Sequence, residues 1–452
     1  MKSWNQLFIR QGFVVEEKGN NRFLCTNERP ENVEFLLESL NLANVRYTFE
    51  NGLLTIHSLP ICEKEWIKAV DFPNRGKGEG LWFRAGEEKP KVFELDTYIS
   101  GVVRELNRLG LYTMGCCDGH GRRCPHIYFD QRTDMEKVMQ LLNALQVNVR
   151  LRRSYVVTFL TNRERLLDAA EQMRNVQPDW LEKGEEYIRK MLFLHTLEEL
   201  LNISGESGNE EEIRMAVREK LTPYVDRITT DRYGNLLAQK KCKAGHGPTI
   251  LLNAHLDTVA ELELGRKIVK HGPIWSSSKG ILGADDRAGV AVLLEIAQWL
   301  ETSDFNGTIK FAFTVEEECG LVGARELEEY FLWDVEAAIV VDRRGTGDIV
   351  TSCGTIQPFC DIRYGQFFEK VANEAGLTGW KCTAGGSSDT RIWVSQGIQS
   401  VNLSVGYQFE HTDDEILDTD ACYNTLQLIK AVLNQSRELS RTLRSLRLTD
   451  AI

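Results

Sequence analysis

The stretch Thr249-Ile250-Leu251-Leu252-Asn253-Ala254-His255-Leu256-Asp257 is an apolar, β-type run that ends in polar residues able to hold a ligand. The same design recurs twice. Residues 308–315 run into the acidic triplet Glu316-Glu317-Glu318, and residues 337–341 run into Asp342. Three strands that each deliver polar side chains at the C-terminal end predict an open α/β sheet, because neighbouring loops converge at that edge and ligands bind there. The expected architecture is therefore α/β: a mixed, largely parallel sheet with flanking helices.

Two further motifs complete a ligand set. After Asp285-Asp286-Arg287 the chain continues as an apolar helical pattern over 288–297, so the acidic pair marks a helix start, where free amides and the dipole favour carboxylates. The fifth motif, YQFEHTDDE over 407–415, contributes His411. His255, Asp285, Glu318, Asp342 and His411 together offer two imidazoles and three carboxylates. That is the donor set of a centre with two divalent ions, one carboxylate bridging. Each motif alone has a plainer reading: a hydrogen-bonded histidine, a capped helix, a solvated acidic face, or a helix start capped by Thr412. Five of them in order, each after a plausible strand or before a plausible helix, argue for a metal site.

From about residue 186 to 440 the chain resembles the co-catalytic two-zinc exopeptidases, the superfamily of zinc aminopeptidases, peptidase T-like enzymes and metal-dependent deacylases. Residues 200–214 (LLNISGESGNEEEIR) and 231–238 (DRYGNLLA) are similar to that family's opening helix and first strand. The resemblance implies that His255 binds one metal and Asp285 bridges both. It makes Asp257 the carboxylate that orients His255, Glu317 the general base and Glu318 a ligand of the second metal. Asp342 completes one site and His411 the other. The choice of Asp285 over Asp286, and of Glu317-Glu318 over Glu316-Glu317, rests on the spacing to Gly289 and Gly320, and a one-residue slip is the alternative. The loop 384–389 (AGGSSD) resembles a glycine-rich substrate loop, with Gly385, Gly386 and Ser387 near the substrate; a turn in which Ser388 caps a following helix is the alternative. Tyr407 is a candidate oxyanion donor or a packed aromatic.

Thirty positions separate His255 from Asp285, and 69 separate Asp342 from His411. By the resemblance, both intervals are too short for the lid or dimerisation insertions of larger members. The implied activity is metal-dependent hydrolysis of amide bonds by an aminopeptidase acting on short peptides. The alternatives are an N-acyl deacylase or amidohydrolase, a di- or tripeptidase, and a peptide-binding regulatory protein on an inactive scaffold. Two divalent ions per subunit are expected, zinc first and cobalt or manganese as alternatives.

Composition narrows the partners. The chain has 452 residues, enough for two or three domains, and its net charge of −12 argues against nucleic acid and anionic membranes. No apolar run reaches membrane-spanning length, and the first twenty residues lack the pattern of a signal peptide. Eleven cysteines without a regular framework suit reduced thiols. The expectation is a cytoplasmic enzyme for small peptide or acyl-amino-acid substrates, with no nucleic-acid or membrane partner, and with a homo-oligomer compatible with the family.

Residues 1–180 read as an α+β accessory domain, 181–440 as the catalytic domain and 441–452 as a tail. In the first domain, residues 32–40 are helical in pattern, 45–49 and 53–57 bracket an Asn51-Gly52 turn, and 96–109 are helical. Residues 134–145 followed by 147–151 and 155–160 echo the first helix and hairpin, which suggests one or two helix-on-sheet units. The stretch Gly115-Cys116-Cys117-Asp118-Gly119-His120-Gly121-Arg122-Arg123-Cys124-Pro125-His126 stands out. Three or four of Cys116, Cys117, His120, Cys124 and His126 could hold a metal, a thiolate near Arg122 and Arg123 could be reactive, or the loop could be glycine-rich packing with buried thiols.

Overall fold

The computed structural model describes residues 2–73, 75–76 and 89–449. The chain divides into two compact units, residues 1–192 and 193–452. The division falls inside the helix Glu185–Leu201. Ile188 belongs to a core of the first unit, and Phe193, Leu197 and Leu200 belong to the core of the second.

The first unit is a repeat. A helix (Trp4–Arg10), two strands, a helix (Pro30–Leu42) and two strands are followed by the same order from Ser100–Arg108 onwards, with Met135–Ala144 as its second helix. The strands of each half form a four-stranded antiparallel sheet in the same 1-2-4-3 spatial order. The echo seen in the sequence is the second helix and hairpin of each half. Tyr47–Glu50 pairs with Leu53–Ile56 around Asn51-Gly52, and Val149–Arg152 pairs with Val156–Phe159 around Arg153 and Ser154, whose φ angles of 49° and 60° are those of a tight hairpin turn. Each half closes its own core, one around Trp4, Phe8, Phe23 and Trp66, the other around Leu106, Ile127, Leu141 and Phe159.

The second unit is built on a nine-stranded mixed sheet. Its centre is parallel: Thr249–His255 pairs with Gly307–Thr314 on one side and with Ala337–Arg343 on the other, and Gln399–Ser404 pairs parallel with Ala337–Arg343. Antiparallel strands flank it, among them Leu236–Cys242 against Gly307–Thr314. Side chains alternate along Thr249–His255. Ile250, Leu252 and Ala254 face one layer of helices, and Leu251 faces the other with Trp393, so the sheet is covered on both sides. Register then fixes the functional edge: His255 stands beside Thr314, and Asn253 beside Val340, two residues before Asp342.

Two features differ from the sequence reading. Residues 441–452 are not a tail through their described length: the helix Ser436–Thr449 puts Leu439, Leu443 and Leu446 into the core of the unit at helical spacing, while Arg437, Arg441, Arg444 and Ser445 are exposed. A second, four-stranded sheet was not read from the sequence. It combines Ile268–His271 and Ile274–Ser277 with Ile416–Asp418 and Tyr407–Gln408.

Candidate metal centre

The five candidate ligands converge at the C-terminal edge of the parallel strands. His255 Nε2 lies 3.0 Å from Asp285 Oδ1 and 3.7 Å from Asp342 Oδ1. His411 Nε2 lies 3.2 Å from Asp285 Oδ2 and 2.9 Å from Glu318 Oε1. Asp285 thus faces both imidazoles, one with each carboxylate oxygen. His255 is buried, whereas the side chain of His411 is 48% exposed on a turn where Phe409 and His411 both have left-handed φ angles, 57° and 66°.

The two acidic neighbours of Asp285 and Glu317-Glu318 are engaged elsewhere. Asp286 is fully buried; its oxygens accept from the backbone N–H of His255 (3.2 Å) and of Gly289 (2.9 Å). It caps the regular part of the helix Ala284–Trp299, whose first two carboxylate positions are not themselves helical. An oxygen of Asp286 still lies within 4.8 Å of donor atoms of His255 and Asp342. Gly289 cannot carry a side chain, because a Cβ would fall 2.1 Å from the carbonyl of Val341, so this helix is pressed onto the strand that bears Asp342. Glu316 has φ 50° and accepts from the Tyr233 hydroxyl at 2.9 Å, away from the imidazoles.

Asp257 ties the centre together. Its Oδ1 accepts from the Glu317 N–H (2.9 Å), and its Oδ2 accepts from the Glu318 N–H (3.1 Å) and the Ser207 hydroxyl (2.8 Å). His255 Nδ1 lies 3.3 Å from Oδ1 and 3.1 Å from the Asp257 carbonyl, which leaves Nε2 facing the carboxylates. Burial alone would push the Asp257 carboxyl up, but His255, the Glu317 amide and Ser207 outweigh it and hold it below the usual range.

Several contributors were not assigned from the sequence. Asn402 grips Asp342 from the next strand, its Oδ1 accepting from the Asp342 N–H at 3.0 Å and its Nδ2 donating to the Asp342 carbonyl at 2.7 Å. Glu415, the last residue of the His411 motif, accepts from the N–H groups of Gly283 (2.7 Å) and Asp285 (3.0 Å) and so holds the loop before the helix. Asp389 is buried and accepts from Thr314 Oγ1 at 2.5 Å and Asn253 Nδ2 at 3.3 Å. The signal for Glu415 and Asp389 was present, since both sit in motifs already singled out.

The expected substrate contacts fare differently. Tyr407 is 3% exposed, and its hydroxyl donates to Asp342 Oδ1 at 2.8 Å, so it orients a carboxylate instead of facing an incoming carbonyl. Gly385 ends the strand Lys381–Gly385 against Val350, while Gly386 and Ser387 are exposed. Ser388 is buried, with Oγ accepting from the Thr390 N–H at 3.3 Å at the start of the helix Thr390–Ser395.

The arrangement suits cations. Burial, followed by the negative charge of Asp342 and then of Asp389 and Glu318, pushes the Glu317 carboxyl well up despite His255. The Glu318 carboxyl is likewise raised, by burial and by Asp285 and Asp342. Crowded oxygen donors with two imidazoles are the chemistry that binds divalent cations, and two groups of them, His255-Asp285-Glu318 and His255-Asp286-Asp342, have all donor atoms within 4.8 Å of one another.

Known proteins share this unit. Residues 235–434, which include all the ligands above, match the model of peptidase family M28. An uncharacterised protein of Bacillus subtilis strain 168, YqjE, is 34% identical over 29% of this chain, which spans 37% of that protein's length. A putative aminopeptidase of Acetivibrio thermocellus is 26% identical, covering 52% of this chain and 96% of its own. The crystal structure of the aminopeptidase PepT of Bacillus cereus superposes with a TM-score of 0.50 at 20% identity, covering 54% of this chain and 98% of that one, which shows a common fold.

Proposed function

We propose that the protein, whose residues 235–434 match the model of peptidase family M28, is a metal-dependent aminopeptidase acting on short peptides. The observation that carries the reading is Asp285 standing between His255 and His411, with Asp342 and Glu318 on either side. His255, Asp285 and Asp342 would hold one divalent ion, and Asp285, Glu318 and His411 a second. Zinc is the first expectation for both. Two such ions supply Lewis acidity to the scissile carbonyl and to the attacking water.

The remaining chemistry belongs to side chains. Glu317 accepts the proton of the attacking water on its carboxylate and returns it to the leaving nitrogen. Asp257 keeps the Nε2 face of His255 free and fixes the amides of Glu317 and Glu318, so base and ligands share one anchor. Tyr407 and Asn402 restrict Asp342. The exposed turn of Gly386 and Ser387 offers backbone to an extended peptide. Three cations close to the ligands in sequence are committed, Arg343 to Asp348 (3.1 Å), Arg344 to Glu410 (2.8 Å) and Arg287 to the Leu256 carbonyl, which supports a free amine end over a carboxylate end. Eleven thiols support a cytoplasmic site of action. Among the described residues, no helix is long and apolar enough to cross a membrane.

The test is a screen of aminoacyl, N-acyl and carboxyl-terminal substrates with zinc, cobalt and manganese. Aminoacyl substrates should be cleaved. Cleavage of N-acyl substrates alone would make the protein an amidohydrolase, and a metal-replete but inert protein would make it a binding scaffold.

A further inference from the structure

The Gly115 to His126 motif lies in the first unit, and the peptidase reading makes no use of it. Its two adjacent cysteines fall on opposite faces of the strand Thr113–Cys117. Cys116 is buried in the core, where burial pushes its thiol far up, ahead of the effect of Asp96. Cys117 faces the other way, towards the turn. There Gly119 (φ 76°), His120 (φ 50°) and Gly121 (φ 69°) are three successive left-handed residues, a path open because two of them are glycines. This winding carries the His120 ring back over the strand end. It meets Asp96, from the segment just before the helix Ser100–Arg108, which no motif had connected to it.

Cys117, His120 and Asp96 present one donor atom each, all within 4.8 Å of one another. His120 Nε2 lies 3.8 Å from Asp96 Oδ2, too far for a hydrogen bond. Bonds of about 2.0–2.3 Å to zinc place the donors of a tetrahedral site about 3.3–3.8 Å apart, so the 3.8 Å pair stands at the wide end of that range and a small inward shift of the exposed His120 ring would close the group on an ion. The surroundings fit the same role. Asp118 Oδ1 lies 3.3 Å from His120 Nδ1, the position of a carboxylate that fixes the tautomer and leaves Nε2 for a metal. The Gly119 N–H donates to Cys117 Sγ at 3.3 Å, a contact that favours the thiolate. The charge of Asp118 is met by Arg163, with Nη1 at 3.6 Å from Oδ2 and the guanidinium 4.0 Å from the centre of the Tyr98 ring. A thiolate, a carboxylate and a neutral imidazole carry two negative charges, which one divalent ion balances.

We propose that Asp96, Cys117 and His120 form a separate site for one thiophilic divalent cation, with a fourth position left for water or a small exogenous ligand. The thiolate selects zinc, cobalt or cadmium over magnesium and calcium. Three protein ligands with no fourth donor in the group, among the described residues, is the pattern of sites that keep an open position. Cys124 and His126 take no part: His126 Nδ1 faces the Cys124 carbonyl at 3.4 Å, and its ring stands edge-on to Tyr128. Burial, and then Asp96 and Asp118, raise the Cys117 thiol against the pull of the Gly119 N–H.

The experiment uses the full chain, stripped with a chelator and titrated with cobalt(II) alone. Sulfur-to-cobalt charge-transfer absorption in the near ultraviolet is the readout, with bound metal counted in parallel. Wild type and Cys319→Ser, the thiol beside Glu318, should show the band. Cys117→Ser should lose it together with one ion per chain, and His120→Ala should bind that ion at least tenfold more weakly. The His120 side chain is 59% exposed, so its removal does not threaten folding, and far-ultraviolet circular dichroism checks both variants. A wild type without the band, a band that survives Cys117→Ser or vanishes with Cys319→Ser, or full affinity in His120→Ala would each overturn the proposal.

Discussion

Replacing Asp257 with Asn changes one atom and removes one charge in a residue that is fully buried. As a carboxylate it offers only acceptors, and every donor around it uses them: the N–H groups of Glu317 and Glu318, the Ser207 hydroxyl and His255 Nδ1. An amide has one acceptor oxygen and one NH2 group. If the oxygen stays on Glu317, the NH2 group meets the Glu318 N–H, donor against donor. Ser207 can turn and accept, but a backbone N–H cannot. One unsatisfied backbone donor costs about 1–3 kcal/mol, and exchanging a charged for a neutral acceptor in the remaining bonds about 1 more, so Asp257→Asn should lose about 2–4 kcal/mol of stability. The same substitution loosens His255 and Glu318, and losing such an orienting partner lowers metal affinity about 10–100-fold. Denaturant unfolding of the chelator-treated protein gives the first number, and competition against a metal-sensitive dye gives the second. A variant that unfolds and binds metal like wild type would refute the assignment of Asp257 as the shared anchor.

Other expectations follow from the same geometry. Glu317→Gln should keep its metal and lose turnover by about 10³-fold or more, whereas Glu318→Ala should lose metal occupancy; metal analysis alongside a hydrolysis assay separates them, and inactivity with full metal in Glu316→Gln would shift the register by one. Asp285→Asn should impair binding of both ions, while Asp286→Asn should chiefly weaken the helix start, by about 1 kcal/mol as for other lost caps, and metal content measured against melting temperature distinguishes the two effects. In the first unit, burial pushes the Glu171 carboxyl up, but Lys2, Arg10 and Gln6 outweigh it and hold it below the usual range. A carboxyl lowered on folding stabilises above its unfolded value and loses that contribution as pH falls, so stability should decline below about pH 4.5, and Glu171→Gln should flatten this decline in urea titrations at several pH values.

What the sequence disclosed depended on how local each signal was. His255 and Asp342 were legible because each follows its own apolar strand, and the parallel register brings the two strand ends level. The choice between Asp285 and Asp286 was only half legible: both precede the same helix, and it takes the folded structure to show Asp286 capping Gly289 while Asp285 faces both imidazoles. Asn402 could not be found at all, since its partner is Asp342 on a neighbouring strand. The helix Ser436–Thr449 was misread because its serines and arginines hide three leucines whose spacing matters more than their number. In the first unit, Asp96 was missed for the reason that makes it interesting, since it reaches His120 from a different segment of the chain.

The turn that carries His411 has a consequence for the order in which the protein becomes active. Its base is the pairing of Tyr407–Gln408 with Ile416–Asp418, and Ile416–Asp418 in turn pairs with Ile274–Ser277, made far earlier. On the ribosome, therefore, His255, Asp285, Glu318 and Asp342 all emerge before the strand that completes this sheet. Until then Glu415 does not hold the loop before Asp285, and His411 does not face it. Under the proposed assignment, the side chains of one metal site are thus synthesised before the histidine that completes the other, and the centre closes when Tyr407–Gln408 pairs with Ile416–Asp418.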